Sequence, residues 1–257
     1  MLDISVLESL LPAVAMLAAR LSGLFATAPF LSGRYIPVQV KAALVLCLSV
    51  ALSPVLTAGK PETPGGLAVI ALAEILTGMM AGFAASLVFV AVEVAGQVFD
   101  TEMGYGMTNV LDPAFGVQVP LMGGFAQLCG LWVFLALDGH HFMLASVLSI
   151  PGIAPGRVEH SAMGIVEWVL DRFCESFSLG LRLALPLLVA AFVASAAMGI
   201  VSRAVPQFNI LVMGMPLRVL LGLAVLAASL PQVLRVLSGA FSDSRYWVPA
   251  AVRLLGR

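Results

Sequence analysis

The stretch Met198–Pro216, MGIVSRAVPQFNILVMGMP, decides how the chain folds, because it separates two strongly apolar runs, Leu179–Gly199 and Ile210–Leu230. Inside that apolar setting stand Ser202, Arg203, Pro206, Gln207 and Asn209. An arginine and two amides between membrane-type segments are costly unless they are paired. Pro206 removes a backbone donor and cannot continue a helix smoothly. The stretch therefore reads as a helix break or hairpin tip in which Arg203, Gln207 and Asn209 form a polar cluster. An ordinary interhelical turn with an interfacial arginine accounts for the same residues.

Working outward, the whole chain has the same character. Of 257 residues, 61% are hydrophobic and only 11% charged, where a soluble domain carries about a quarter. The mean hydropathy is +1.06. The apolar runs are continuous rather than alternating, so the chain reads as an all-α, polytopic membrane protein and not a barrel. A net charge of -1 and the lack of any basic tract give no reason to expect nucleic-acid binding. The start, MLDISVLESLL, has no basic residue before its apolar run, which argues against a cleaved signal peptide. Cys47, Cys129 and Cys174 are far apart and odd in number, so they read as packing residues and form no metal or disulfide pattern.

Six long apolar segments are expected: about 10–28, 38–58, 67–99, 119–137, 179–199 and 210–230. About 20 helical residues cross a hydrocarbon core of ~30 Å. The third segment exceeds that, so it should tilt, break or protrude. Arg20 stands inside the first segment and must face a partner helix, an aqueous path or the interface. Glu74 stands inside the third, where pairing across an interface is the preferred reading over a protonated acid. Gly78 and Gly82 follow at a four-residue spacing that lets two helices approach closely. Arg20, Glu74, Gly78 and Gly82 are therefore the candidate helix-interface set.

The link Gly104–Pro120, GYGMTNVLDPAFGVQVP, is too rich in Gly and Pro for a helix. It is also too apolar for a solvated loop, with Tyr105, Met107, Val110, Leu111, Phe115 and Val117. Such backbone is tolerated at membrane depth only when protein surrounds it or it lines a cavity. It reads as a buried re-entrant element, with an apolar surface loop as the alternative.

Asp138–Phe142, DGHHF, invites a metal reading, but adjacent histidines point apart and no third ligand stands at a useful spacing. An interfacial helix-end cluster is the preferred reading, and no metal site is assigned. Gly164–Ser178 is amphipathic, with Ile165, Val169, Phe173 and Phe177 opposite Glu167, Asp171 and Glu175. Pro186 predicts a kink in the segment that follows. Arg235, Arg245, Arg253 and Arg257 favour a cytoplasmic C-terminal tail. Arg34, Lys41 and Arg203 fall on the wrong side of a six-span arrangement, so some runs are expected to bury their surfaces in an assembly instead of in lipid.

These motifs resemble the FliR family of flagellar export proteins, related to the SctT proteins of virulence type III secretion. The strongest match is Gly199-x3-Arg203-x2-Pro206-Gln207-x-Asn209 followed by Pro216-Leu217-Arg218. Arg20 with Pro29, Pro37 and Lys41, Glu74 with Gly78, Gly96 and Asp100 with Gly104, Asp112-Pro113 and Asp138-Gly139-His140 follow in the family's order. Met213–Leu223, MGMPLRVLLGL, looks closer to the flagellar branch.

The resemblance implies one export-gate subunit in the bacterial inner membrane, at the flagellar basal body. It implies a FliP-like part over about 1–178 and a FliQ-like hairpin and tail over about 179–257. The implied partners are FliP-like and FliQ-like membrane subunits, FlhB-like and FlhA-like export components, and unfolded exported proteins. It also implies a pore plug at Gly104–Pro120, no catalytic residues and no cofactor. Two other classes fit parts of the pattern. Broken helices and buried charges suit a secondary transporter of a small solute, although no inverted repeat is visible. An intramembrane enzyme on Asp138, His140 and His141 lacks a nucleophile or a ligand set.

Overall fold

A computed structural model describes residues 4–29, 31–33, 36–53, 64–105, 120–148, 162–204 and 210–255. These form seven α-helices and, among the described residues, no strand. They are α1 (Ile4–Thr27), α2 (Val38–Leu52), α3 (Pro64–Glu102), α4 (Leu121–Ala136), α5 (Gly139–Leu148), α6 (Ala162–Ala204) and α7 (Ile210–Leu255). The chain divides into two compact units, and α3, α6 and α7 each contribute a part to both.

Unit 1 takes residues 1–87, 138–172 and 241–257. Its core is Leu17, Leu21, Leu24 and Phe25 of α1, Ile70, Ala81 and Ala84 of α3, and Val147 of α5. Here α1 and α3 touch backbone to backbone. A Cβ on Gly23 would sit 2.2 Å from the Ile75 carbonyl oxygen, and one on Gly78 only 1.8 Å from that of Arg20. One on Gly82 would meet Thr27 Oγ1 at 2.1 Å. The three glycines form a seam that no larger residue can enter without moving a helix.

Unit 2 takes residues 88–137 and 173–240. Its core runs along Val88, Val92, Ala95 and Phe99 of α3 and Leu183, Ala184 and Leu187 of α6. Phe89 and Phe134 meet edge to face at 5.6 Å, a favoured aromatic geometry. Gly96 and Gly123 bring α3 against α4, and a Cβ on Gly96 would lie 2.5 Å from Gly123 Cα.

Three of the described helices are long and apolar enough to cross a membrane, or four if α4 and α5 count as one broken span. Six were expected. Among the described residues the second run yields the 15 residues of α2, about 22 Å of helix against a ~30 Å core. Two of the runs lie in helices longer than a span requires. The third run forms one helix of 39 residues without a break. The amphipathic stretch and the fifth run form one helix of 43 residues that continues through Pro186. Leucine and alanine around both junctions favour continued helix. The described part of α6 ends at Ala204 and that of α7 begins at Ile210, and Pro206 of the expected break lies between them, outside the described residues.

The amphipathic pattern of Gly164–Ser178 does not select the buried face of α6. Phe173 and Phe177 are about half exposed, while Ser176, Gly180, Leu183, Ala184 and Leu187 are buried. Small side chains set the approach there, because a Cβ on Gly180 would meet the Ala91 carbonyl oxygen at 2.8 Å.

Candidate functional site

Arg20 and Glu74 face each other in unit 1, each side chain only 3% exposed. Arg20 Nε donates to Glu74 Oε2, and Arg20 Nη1 donates to the Val147 carbonyl oxygen at 2.8 Å. One guanidinium thus joins α1, α3 and α5. Its planar fork lets a single cation serve two acceptors in different directions. The glycine seam is what allows it, because Gly78 lies one turn from Glu74 and lets α1 come close enough for the pair to form. The candidate set Arg20, Glu74, Gly78 and Gly82 is therefore one constellation, and the contact it makes lies within this chain. A buried pair of this kind is weak evidence for net stability, but removing one partner is strongly destabilising.

Unit 2 buries its carboxylate differently. Asp100 Oδ1 accepts from Met122 N and Oδ2 from Gly123 N, both at 2.9 Å. These are free amides of the first turn of α4, where an anion also meets the positive end of the helix. Pro120 precedes that turn and provides no side-chain cap. Sequence reasoning matched Asp100 to a family pattern without finding this role. The available signal is Gly96 four residues earlier on the same helical face, since the small residue brings α4 within reach.

The expected plug is mostly outside the described residues: Met107, Val110, Leu111, Phe115 and Val117 all lie there. Tyr105 is half-buried just past the end of α3, beside Gly104 at φ +82°. That positive φ turns the chain out of the helix at a residue without a Cβ. Of the polar-cluster residues, Arg203 is exposed in the last turn of α6, where its charge suits the negative end of the helix. Pro206, Gln207 and Asn209 lie outside the described residues. In the same hairpin, Arg218 donates to Ser195 Oγ at 3.1 Å. In unit 1, Lys41 Nζ donates to the carbonyl oxygens of Ser32 and Gly33, both at 3.0 Å, which ties the start of α2 to the turn before it.

The Asp138–Phe142 cluster departs from the sequence reading. The two imidazoles do not diverge, since their centroids are 4.2 Å apart with planes tilted by 35°. A third ligand is also present. Asp138 Oδ1 lies 3.5 Å from His141 Nδ1, and one ligand atom from each of Asp138, His140 and His141 lies within 4.8 Å of the other two. Asp138 and His141 stand three residues apart at the start of α5, a spacing at which side chains meet, and Asp138 has φ 55°, a left-handed conformation that aspartate tolerates better than most residues.

Comparison with known proteins places this geometry in context. The family described as bacterial export proteins, family 1, matches residues 11–244. The chain is 28% identical to the flagellar biosynthetic protein FliR of Bacillus subtilis, over 91% of this chain and 92% of that one. It is 29% identical to the protein of that name from Escherichia coli, covering 87% and 86%. It is 32% identical to that from Aquifex aeolicus, covering 84% of each.

Proposed function

We propose that this chain, which belongs to the bacterial export proteins of family 1, is a structural and gating subunit of a flagellar type III protein export gate. In this reading it helps form the pore through which unfolded flagellar proteins cross the inner membrane. Relatives named for flagellar biosynthesis over most of their length support the flagellar role. The observation that carries the subunit role is the burial of the long helices. Of the most apolar stretch of α3, 61% is buried within the chain, against 22% for α6 and 6% for α7. Phe192, Ile200 and Leu220 are 75%, 72% and 67% exposed. Surfaces of that kind are covered either by lipid or by other subunits. A groove of about 560 Å³ between α6 and α7, lined by Ala190, Ala194, Ala197, Leu217 and Leu221 among others, favours neighbouring helices. FliP-like and FliQ-like subunits are the partners this reading assigns, with FlhB-like and FlhA-like components beside them.

Gly104–Pro120 is the plug in this proposal. A pore wide enough for an unfolded chain must hold back ions when idle. Apolar side chains such as Met107, Leu111 and Phe115 dewet a constriction, and glycines let the segment swing aside. No residue is assigned a catalytic role. Deleting Met107–Gly116 tests the reading in cells that express the whole gate. The complex should still form, membrane potential should fall and growth should slow. An assembled gate with an undiminished membrane potential would place the plug elsewhere.

A further inference from the structure

The Asp138–His141 corner has more chemistry than an export subunit requires. Two imidazoles and one carboxylate form a donor set suited to zinc, nickel or copper, and poorly suited to magnesium or calcium. The three groups are near enough to converge on one ion after a small closure. Zinc takes imidazole nitrogen and carboxylate oxygen at about 2.0–2.2 Å, which sets ligand atoms roughly 3.3–3.6 Å apart around a tetrahedron. The 3.5 Å between Asp138 Oδ1 and His141 Nδ1 already spans one such edge. The remaining ligand atom lies within 4.8 Å of both. Asp138 and His141 side chains are 74% and 73% exposed, so they have room to close on an ion.

Two further observations point the same way. His140 Nδ1 is buried and has no hydrogen-bond partner among the described residues. An orphaned buried nitrogen is costly, and the ring that carries it is the one whose partners the described residues do not supply. Asp138 is the one described non-glycine residue with positive φ, and its carbonyl oxygen accepts from Phe142 N to close the first turn of α5. Both the carboxylate and the two rings are thus presented from a short, hydrogen-bonded corner.

We propose that Asp138, His140 and His141 bind a divalent transition-metal ion of the zinc class through three protein ligands. Water or a partner's ligand completes the shell. The carboxylate offsets the positive end of α5, which would otherwise oppose a cation there. The ion would hold the corner ahead of α5 in its left-handed turn. This inference does not depend on the plug or on any partner assignment.

The test uses the full chain, purified without a histidine tag and freed of metal, with zinc chloride as the probe. Calorimetric titration should show one equivalent bound. Ligand loss should weaken binding by more than the ~10–100-fold typical of outer-shell partners, so Asp138→Asn and His141→Ala each fall beyond that range and His140→Ala/His141→Ala shows none. Equal stoichiometry and affinity in that double variant overturns the proposal. A second measurement needs no variant. Zinc should protect His140 and His141 of the natural chain from diethyl pyrocarbonate, with His160 as the internal reference. Unchanged modification of all three rings in saturating zinc overturns it as well.

Discussion

α3 and α7 are built from similar residues and meet opposite fates. Both are long and apolar, yet most of the apolar stretch of α3 is buried within the chain and almost none of that of α7 is. The difference lies in the distribution of small side chains and charges. α3 presents Gly78, Gly82, Ala81, Ala84 and Ala85 along one side, and Glu74 one turn before them. A small face admits another helix to backbone contact, and a buried acid demands a partner on that helix. α7 has Leu217, Leu220 and Leu223 standing outward with no buried charge among them. Apolar length therefore says that a helix leaves water. Small residues and charges say whether its own chain covers it.

Three substitutions break or sharpen this contrast. The largest effect belongs to Glu74→Ala, which strands the Arg20 charge inside unit 1 and should cost about 3–5 kcal/mol. Unfolding of the purified chain in detergent, followed by helical circular dichroism, measures it. Arg20→Met/Glu74→Met should regain most of that loss, because two apolar residues leave no unpaired charge. A double variant as unstable as Glu74→Ala would show that the pair itself, and not the stranded charge, holds α1 to α3. Next comes Gly78→Ala. Its new methyl group lands on the Arg20 carbonyl oxygen, and displacing α1 should cost about 1–3 kcal/mol in the same assay. An unchanged stability would mean that the seam is loose. The smallest effect on the chain alone is expected at Phe192→Ser on α6, where exposure is 75%. Stability should move by less than ~0.5 kcal/mol, while recovery of the chain in a larger complex on a native gel should fall. Undiminished recovery would assign that face to lipid.

Part of this was legible in the sequence. Glu74 and Gly78 announced themselves because an acid and a small-residue spacing inside an apolar run have few physical explanations. Other features depend on three-dimensional placement that no local pattern encodes. Arg20 and Glu74 are 54 residues apart, and nothing near either one names the other. Gly23 completes the seam from α1 but stands alone in its segment. The face that α6 buries had no aromatic signal, because the packing uses Ser176 and Gly180 while Phe173 and Phe177 stay about half exposed. The Asp138 carboxylate and His141 stand three residues apart, and their approach depends on where α5 begins.

The Asp100 contact has a consequence for anyone who wants to modify this protein. Both chain ends that flank residues 106–119 are set by bonds that this segment does not make. Asp100 fastens the end of α3 to the first amides of α4, and Gly96 seats against Gly123 beneath it. The ends of α3 and α4 are therefore held together by contacts among the described residues. Doubling a flexible connection adds only about 0.6 kcal/mol of closure entropy. An insertion between Gly106 and Val119 leaves those bonds in place, so any loss of membrane potential it causes reports on the segment and not on the packing of α3 against α4.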